Sequence, residues 1–375
     1  MSEAVASARP APPDFAAARN LRQKVRAAGL DPDYWYPAEW DADLKRGQVR
    51  EVVFWNSSIA LYRGEDGAVH ALANRCAHRQ LKLSLGQVHG CRLTCAYHGW
   101  SYDGDGRVAA IPHDLFGHAM PKLRVPTYPV AVRYGLIWIF PGEPARAEGV
   151  PLPEIPELDG PDAWPHMRLD FAWKAHHSMV IDNVSDFTHA HLHRKYRPFS
   201  DAKLLRHETV GDAVHMSYEA KVGRGRFSGR FVDHERLDTN HMDLCYDYPY
   251  QRSDTDGEIK HWLFVLPSGE RATRAFFIFM FRSLKVPFLP VPLRGRTLQA
   301  VLEVSKRTFI RSLLSQDGFA VEAEQAGYDA HWDAQLAELN PVVRAFQEVT
   351  VRKWQDYLDR TASGRTHPRR REAND

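Results

Sequence analysis

The chain has 375 residues, 44% hydrophobic and 26% charged, enough apolar material for one large or two moderate domains with a real core. Its formal net charge of +2 excludes an electrostatic case for nucleic acid or an acidic surface as the main partner. Four cysteines, three of them close together beside histidines, exclude a disulfide-framed secreted domain and point to metal chemistry in a reducing, cytoplasmic setting.

The opening MSEAVASARPAPPDFAAARN carries prolines, Asp14 and arginines where a signal peptide needs an uninterrupted apolar stretch. Residues 1–45 read as a mostly disordered lead-in followed by a helix. Apolar runs are everywhere short of the roughly 18 residues a membrane helix requires, which predicts a soluble protein without a membrane span. From 46 to 145 the short runs EVVFW, IALYR, AVHALAN, RLTCAYH and VAVRYGLIWIF, separated by Gly, Asp and Pro, predict a small all-β domain. GEDGA and DGDGR are its expected hairpin turns, because Asp-Gly supplies positive-φ positions.

Within this region lie Cys76-Ala-His78 and Cys95-Ala-Tyr97-His98-Gly99-Trp100. Each loop offers one thiolate and one imidazole. A structural zinc site ordinarily keeps its two cysteines together and its two histidines together. Mixed loops suit a [2Fe–2S] centre with two Cys on one iron and two His on the other, the imidazoles raising the potential. Cys91 and Cys245 are expected to be small buried hydrophobes.

The proline-rich stretch PGEPARAEGVPLPEIPELDGP marks a domain boundary. A second domain, 146–375, then reads as α+β: a helix over about 174–194, strand-like runs over 203–284, and long amphipathic helices over about 295–327 and 340–361. The tail TASGRTHPRRREAND has no periodicity and reads as solvated. VGRGRFSG misses the dinucleotide spacing. In MVIDNVSDFTHAHLHRKYRPF a continuous helix would line Asp182, Asp186, His189 and His193 on one stripe and turn His191 away, which selects His189 and His193 as a pair. Two such histidines plus a carboxylate from elsewhere make the facial triad of non-haem Fe(II) oxygenases. A solvated helix with histidines at its C-terminal end is the competing reading.

Together the two constellations resemble the Rieske non-haem iron oxygenases, in their terminal oxygenase component. C-x-H and C-x₂-H loops at the tips of a small β-fold and a D/E-N-x₂-D-x₂-H-x₃₋₄-H segment carry the resemblance, with the three-residue histidine spacing similar to homotrimeric types such as carbazole dioxygenase. One departure is Gln80 where the family often has Gly. The resemblance implies a helix-grip-like catalytic domain with an antiparallel sheet. It implies cluster ligands Cys76, His78, Cys95 and His98, and an Fe(II) held by His189, His193 and Asp317, with Glu322, Glu324 and Asp329 as competing carboxylates. It also implies catalytic roles for Asn183 and for Asp186, the latter linking His98 of a neighbouring subunit to His189.

With no flavin or nicotinamide fingerprint, electrons from NAD(P)H are expected through a separate reductase or ferredoxin, which Arg75, Arg79, Lys82 and Arg92 could steer. Mono- or dihydroxylation or oxidative demethylation of an aromatic, polycyclic or sterol-like substrate is the leading expectation, with a small amine or alkaloid second. Phe187, Tyr196, Trp262 and Phe279 are candidate pocket walls. A Rieske electron carrier, a zinc hydrolase and a metal-binding scaffold are the readings from other classes.

Overall fold

The computed structural model describes residues 11–193, 199–222, 240–284 and 291–365. Residues 1–10, Tyr196 and the glycine-bearing stretch beyond 222 lie outside them. Helix α1 (Leu21–Ala27) starts where Asn20 accepts a hydrogen bond from the Gln23 N–H at 2.9 Å while Gln23 accepts from Arg19, a reciprocal cap that satisfies otherwise orphaned donors.

Three small antiparallel sheets follow. The first joins β1 (Tyr36–Trp40) to β11 (Leu136–Ile139) and β10 (Val130–Arg133), the second joins β2 (Val49–Phe54), β3 (Ser57–Arg63), β4 (Val69–Ala73) and β9 (Thr127–Tyr128), and the third joins β5 (Gln87–His89), β6 (Arg92–Thr94), β7 (Ser101–Tyr102) and β8 (Val108–Ala110). The GEDGA turn connects β3 to β4 and the DGDGR turn connects β7 to β8, with Gly67 at φ +95° and Gly106 at φ +77°. A compact apolar cluster under the third sheet, including Leu72, Leu83, Leu93 and Tyr102, supports the loops that carry Cys76 and Cys95.

The larger α+β part is built on a seven-stranded antiparallel sheet in the order β12-β18-β17-β16-β15-β14-β13. Its strands are β12 (His166–Trp173), β13 (Phe199–Val210), β14 (Ala213–Val222), β15 (Asn240–Asp247), β16 (Tyr250–Thr255), β17 (Ile259–Gly269) and β18 (Ala272–Phe281). Alternation puts Met167, Leu169, Phe171 and Trp173 on one face with Phe277, Leu263, Leu244 and Tyr246. Helices α2 (His177–Ser185), α4 (Arg311–His331) and α5 (Pro341–Arg365) cross that face. A short α3 (Gly295–Ser305) leads into α4 through a π-type segment, Lys306–Ile310.

The opposite sheet face receives the first small sheet, where the Trp138 ring meets Phe264 edge-on at 5.0 Å and Trp40 meets Phe276 at 5.5 Å. The β2–β3 turn, Trp55-Asn56, adds a main-chain lock: its two N–H groups donate to the Pro267 and Ser268 carbonyls at 2.7 and 3.0 Å. The tail expectation is corrected at its start, since α5 runs on to Arg365. Among the described residues no helix is long and apolar enough to cross a membrane.

Candidate metal centres

The two motif loops are built on one plan. Cys76 N–H donates to Leu81 O at 2.8 Å and its carbonyl accepts from Gln80 N–H at 2.9 Å; Cys95 N–H donates to Trp100 O at 2.9 Å and its carbonyl accepts from Gly99 N–H at 3.1 Å. In both, the fourth residue after the cysteine is left-handed, Gln80 at φ +63° and Gly99 at φ +69°. Gln80 therefore takes up the backbone shape that a glycine would adopt without strain, and the loop is kept despite the substitution. At Gly99 a Cβ would also meet Pro112 at 2.7 Å, so the second loop has no such latitude.

This plan sorts the side chains by type. Cys76 and Cys95 are buried with their thiols side by side, and burial followed by the neighbouring Cys76 thiol raises the Cys95 pKa. Tyr102 accepts the Ala77 N–H at 2.9 Å, which leaves its hydroxyl proton for Cys76 Sγ at 3.1 Å. The His78 and His98 rings lie 4.5 Å apart, and Trp100 stacks on His78 at 4.7 Å. His78 Nδ1 is buried and unpartnered among the described residues. Two thiols together and two imidazoles together fit a [2Fe–2S] cluster with Cys₂ on one iron and His₂ on the other.

The second centre forms where the 3₁₀ segment Phe187–His193 meets α4. The ligating atoms of His189, His193 and Asp317 all lie within 4.8 Å of one another. Asp317 Oδ1 is 3.5 Å from His189 Nε2 and 3.4 Å from His193 Nε2, buried and without a hydrogen-bond partner among the described residues. Each imidazole is oriented from behind: His189 Nδ1 donates to the Asp186 carbonyl and His193 Nδ1 to Gln316 Oε1 at 3.0 Å. Both Nε2 atoms are thereby left to face the carboxylate, the arrangement that suits a divalent metal. Burial lowers the His189 pKa. For His193 burial also lowers it, yet the nearby charge of Asp317 and the hydrogen bond to Gln316 carry it above the usual value. Gly318 lets α4 come this close, since a Cβ there would meet Trp173 Nε1 at 2.3 Å.

The continuous helix expected through the histidines is corrected. Helix α2 stops at Ser185, and Asp186 Oδ1 takes the Thr188 N–H at 2.9 Å and its hydroxyl at 2.7 Å, a side-chain turn that competes with helix continuation. Asp186 thus reaches His189 through its carbonyl while its carboxylate holds the turn. Asp182 faces away from the pair, toward Arg26 at 2.5 Å and Gln347 at 3.0 Å. Asn183, Asp186 and His189 line a cleft of about 230 Å³ with Arg26, Glu324 and Glu338. His191 is exposed.

Each competing carboxylate has other business: Glu322 accepts the Lys174 N–H at 2.9 Å, Glu324 pairs with Arg26 at 2.8 Å and Asp329 with Arg271 at 2.8 Å. Cys245 is buried as expected, but Cys91 is exposed, because it sits in the tight turn between β5 and β6. Phe279 is on the helix-covered sheet face and Phe187 packs on Phe199 and Tyr218. Trp262 lies on the opposite sheet face from Phe279, stacked on Phe264 and under Arg252, where it lines a separate cavity of about 400 Å³ with Cys245 and Lys260. Arg75, Arg79, Lys82 and Arg92 are all exposed, with Lys82 paired to Glu51 at 2.7 Å. Sequence reasoning missed Arg26, Gln316, Phe199 and Trp173, whose roles arise only from tertiary contact; no local pattern marks them.

A β-domain presenting sorted Cys₂ and His₂ at paired loops, followed by a helix-over-sheet domain with a His₂Asp centre, defines a two-centre iron oxidoreductase. The Rieske [2Fe-2S] domain family matches residues 34–129, and the vanillate O-demethylase oxygenase C-terminal domain family matches residues 173–360. A 4beta-methylsterol monooxygenase from Methylococcus capsulatus is 43% identical over 338 residues, 90% of this chain and 92% of that one. A dicamba O-demethylase oxygenase component from Stenotrophomonas maltophilia is 32% identical over 48% of this chain and 52% of its own. In fold, dicamba monooxygenase bound to dicamba superposes with a TM-score of 0.68 at 21% identity, covering 91% of this chain and 100% of that structure. The chain belongs to the Rieske-type non-haem iron oxygenases, which use O₂ and delivered electrons to oxidise organic substrates, with a Rieske [2Fe–2S] domain and a mononuclear His₂Asp iron site.

Proposed function

We propose that this protein is the terminal oxygenase of a multicomponent system that oxidises a methyl group on a sterol-like polycyclic substrate. The single observation that carries the substrate class is the 43% identity, sustained over 90% of the chain, to a 4beta-methylsterol monooxygenase.

In this reading Cys76, His78, Cys95 and His98 hold the cluster, and His189, His193 and Asp317 hold the iron. When bound, these groups supply one-electron transfer and O₂ activation respectively. The chain's own residues do the rest. Asp186 and Gln316 keep both imidazoles turned with Nε2 toward the metal position, and Tyr102 stabilises negative charge on Cys76. Asp186 and Asn183 line the cleft where His98 of a neighbouring copy would dock in a homotrimer. Exposed apolar side chains near the cluster end, Tyr97 at 59% and Phe116 at 79%, suit burial against that neighbour. A ferredoxin or flavin reductase supplies the electrons from NAD(P)H.

The test uses purified chain with both metals loaded, a reductase system and a 4-methylsterol. Sterol-dependent O₂ uptake with an oxidised methyl product is expected. Asp186→Asn with full metal content should lower turnover by at least tenfold; O₂ uptake indifferent to sterol would defeat the substrate assignment.

A further inference from the structure

The helix-covered face of the large sheet is mostly apolar, and polar side chains on it such as Thr273 and Tyr246 are bonded, to the Ala175 carbonyl at 2.8 Å and to Thr350 at 3.3 Å; one place on it differs. His261 of β17 stands opposite Ser253 of β16 and Phe279 of β18, on the same face as Leu244 and Met167. Its Nδ1 is bonded to Ser253 Oγ. Its Nε2 is fully enclosed and has no partner among the described residues, although the ring as a whole keeps some accessible surface. Two positions along β16 on the same face, Gln251 is completely buried with both side-chain polar atoms unpartnered.

Leaving a buried polar atom unpartnered is unfavourable, so three of them gathered on a mostly apolar face mark a place where something else completes the bonds. The face leads from there to the metal centre. His261 touches Phe279 at 5.4 Å, Phe279 stacks on Phe277 at 5.9 Å, and Phe277 meets Trp173 at 6.0 Å, the residue against which Gly318 packs beside Asp317. Burial pushes the His261 pKa down to about 4, so the ring is neutral and suits an uncharged partner over a carboxylate.

We propose that His261, oriented by Ser253, hydrogen-bonds the hydroxyl of the sterol-like substrate and sets specificity for it. A free sterol carries one such group, its 3-hydroxyl, and a hydroxyl can meet either tautomer of the ring because it both donates and accepts. The inference rests on the sterol reading above, and goes beyond it by naming the atom recognised and the residue that recognises it.

The experiment compares a 4-methylsterol carrying its 3-hydroxyl with the same sterol lacking it, using enzyme with intact cluster spectrum and iron content. Binding is followed by tryptophan fluorescence quenching and turnover by product formation. The wild type should prefer the hydroxylated sterol by on the order of ten- to a hundredfold in kcat/KM and in affinity. His261→Leu should erase that preference, mainly by raising KM for the hydroxylated sterol, while the deoxy sterol is handled as before. His261→Gln, which keeps a donor, should restore part of it, and Ser253→Ala should weaken it. Equal losses for both sterols in His261→Leu, or no loss, overturn this inference and leave the sterol reading standing. A wild type that oxidises both sterols equally does the same. A wild type that binds and oxidises neither overturns the sterol reading and this inference together.

Discussion

At the scale of single residues, the iron site is decided by which acidic groups are free. Asp317 Oδ1 is buried between two imidazole Nε2 atoms, whereas Glu324 is half-exposed and already neutralised by Arg26. Asp317→Asn should therefore lose most of its iron, and Glu324→Gln should keep it, with the cluster spectrum intact in both; metal analysis of the purified variants decides. Asp182 carries a different consequence. Burial, only partly offset by Arg26, raises its pKa from 3.8 to about 7. The folded chain then holds a proton that the unfolded chain has released, so this contribution to stability is fully present below about pH 4 and lost as pH rises through about 7. Urea midpoints measured from pH 4 to 8 should show wild type losing ground to Asp182→Asn across that window and none beyond it. A gap that does not change with pH would show that Arg26 keeps Asp182 ionised throughout.

At the scale of elements, α4 matters through its approach to β12. Gly318→Ala would place a methyl 2.3 Å from Trp173 Nε1, a clash that must push the helix or the indole aside. About 1–3 kcal/mol of lost stability is expected from such overpacking, seen as a lower unfolding midpoint, together with weaker iron retention because Asp317 is the adjacent residue. The same elements show where the chain was legible. The cluster loops could be read because each pair of ligand types lies within three or four residues of contiguous sequence, and even Gln80 only replaces a glycine whose φ it can still adopt at +63°. His189 and His193 were paired correctly for a reason that did not hold. The segment is not one helix but is broken at His189, and the two rings nonetheless lie 5.2 Å apart. Trp262 and Phe279 looked alike as aromatic strand residues. Only strand register, which periodicity does not supply, puts them on opposite faces. Arg26 was opaque because its partners, Asp182 and Glu324, are 156 and 298 residues away.

At the scale of the whole molecule, the cluster loops and the His₂Asp site belong to separate cores, the small cluster around Tyr102 and the large one beneath α2, α4 and α5. The first small sheet and the β2–β3 turn are tied to the large sheet by Trp55-Asn56 on Pro267 and Ser268 and by Arg274, which pairs with Glu39 at 2.7 Å and Asp170 at 2.9 Å. The proposed homotrimer, with electrons passing between neighbours, makes a quantitative prediction. Two variants are co-expressed, His98→Ala without a working cluster and Asp317→Asn without iron, each inactive alone. Random assortment into a cyclic trimer pairs a good cluster with a good iron across about a quarter of the boundaries, so about a quarter of wild-type turnover should return. Transfer confined within one chain gives no recovery at any mixing ratio, because every chain then lacks one of the two centres.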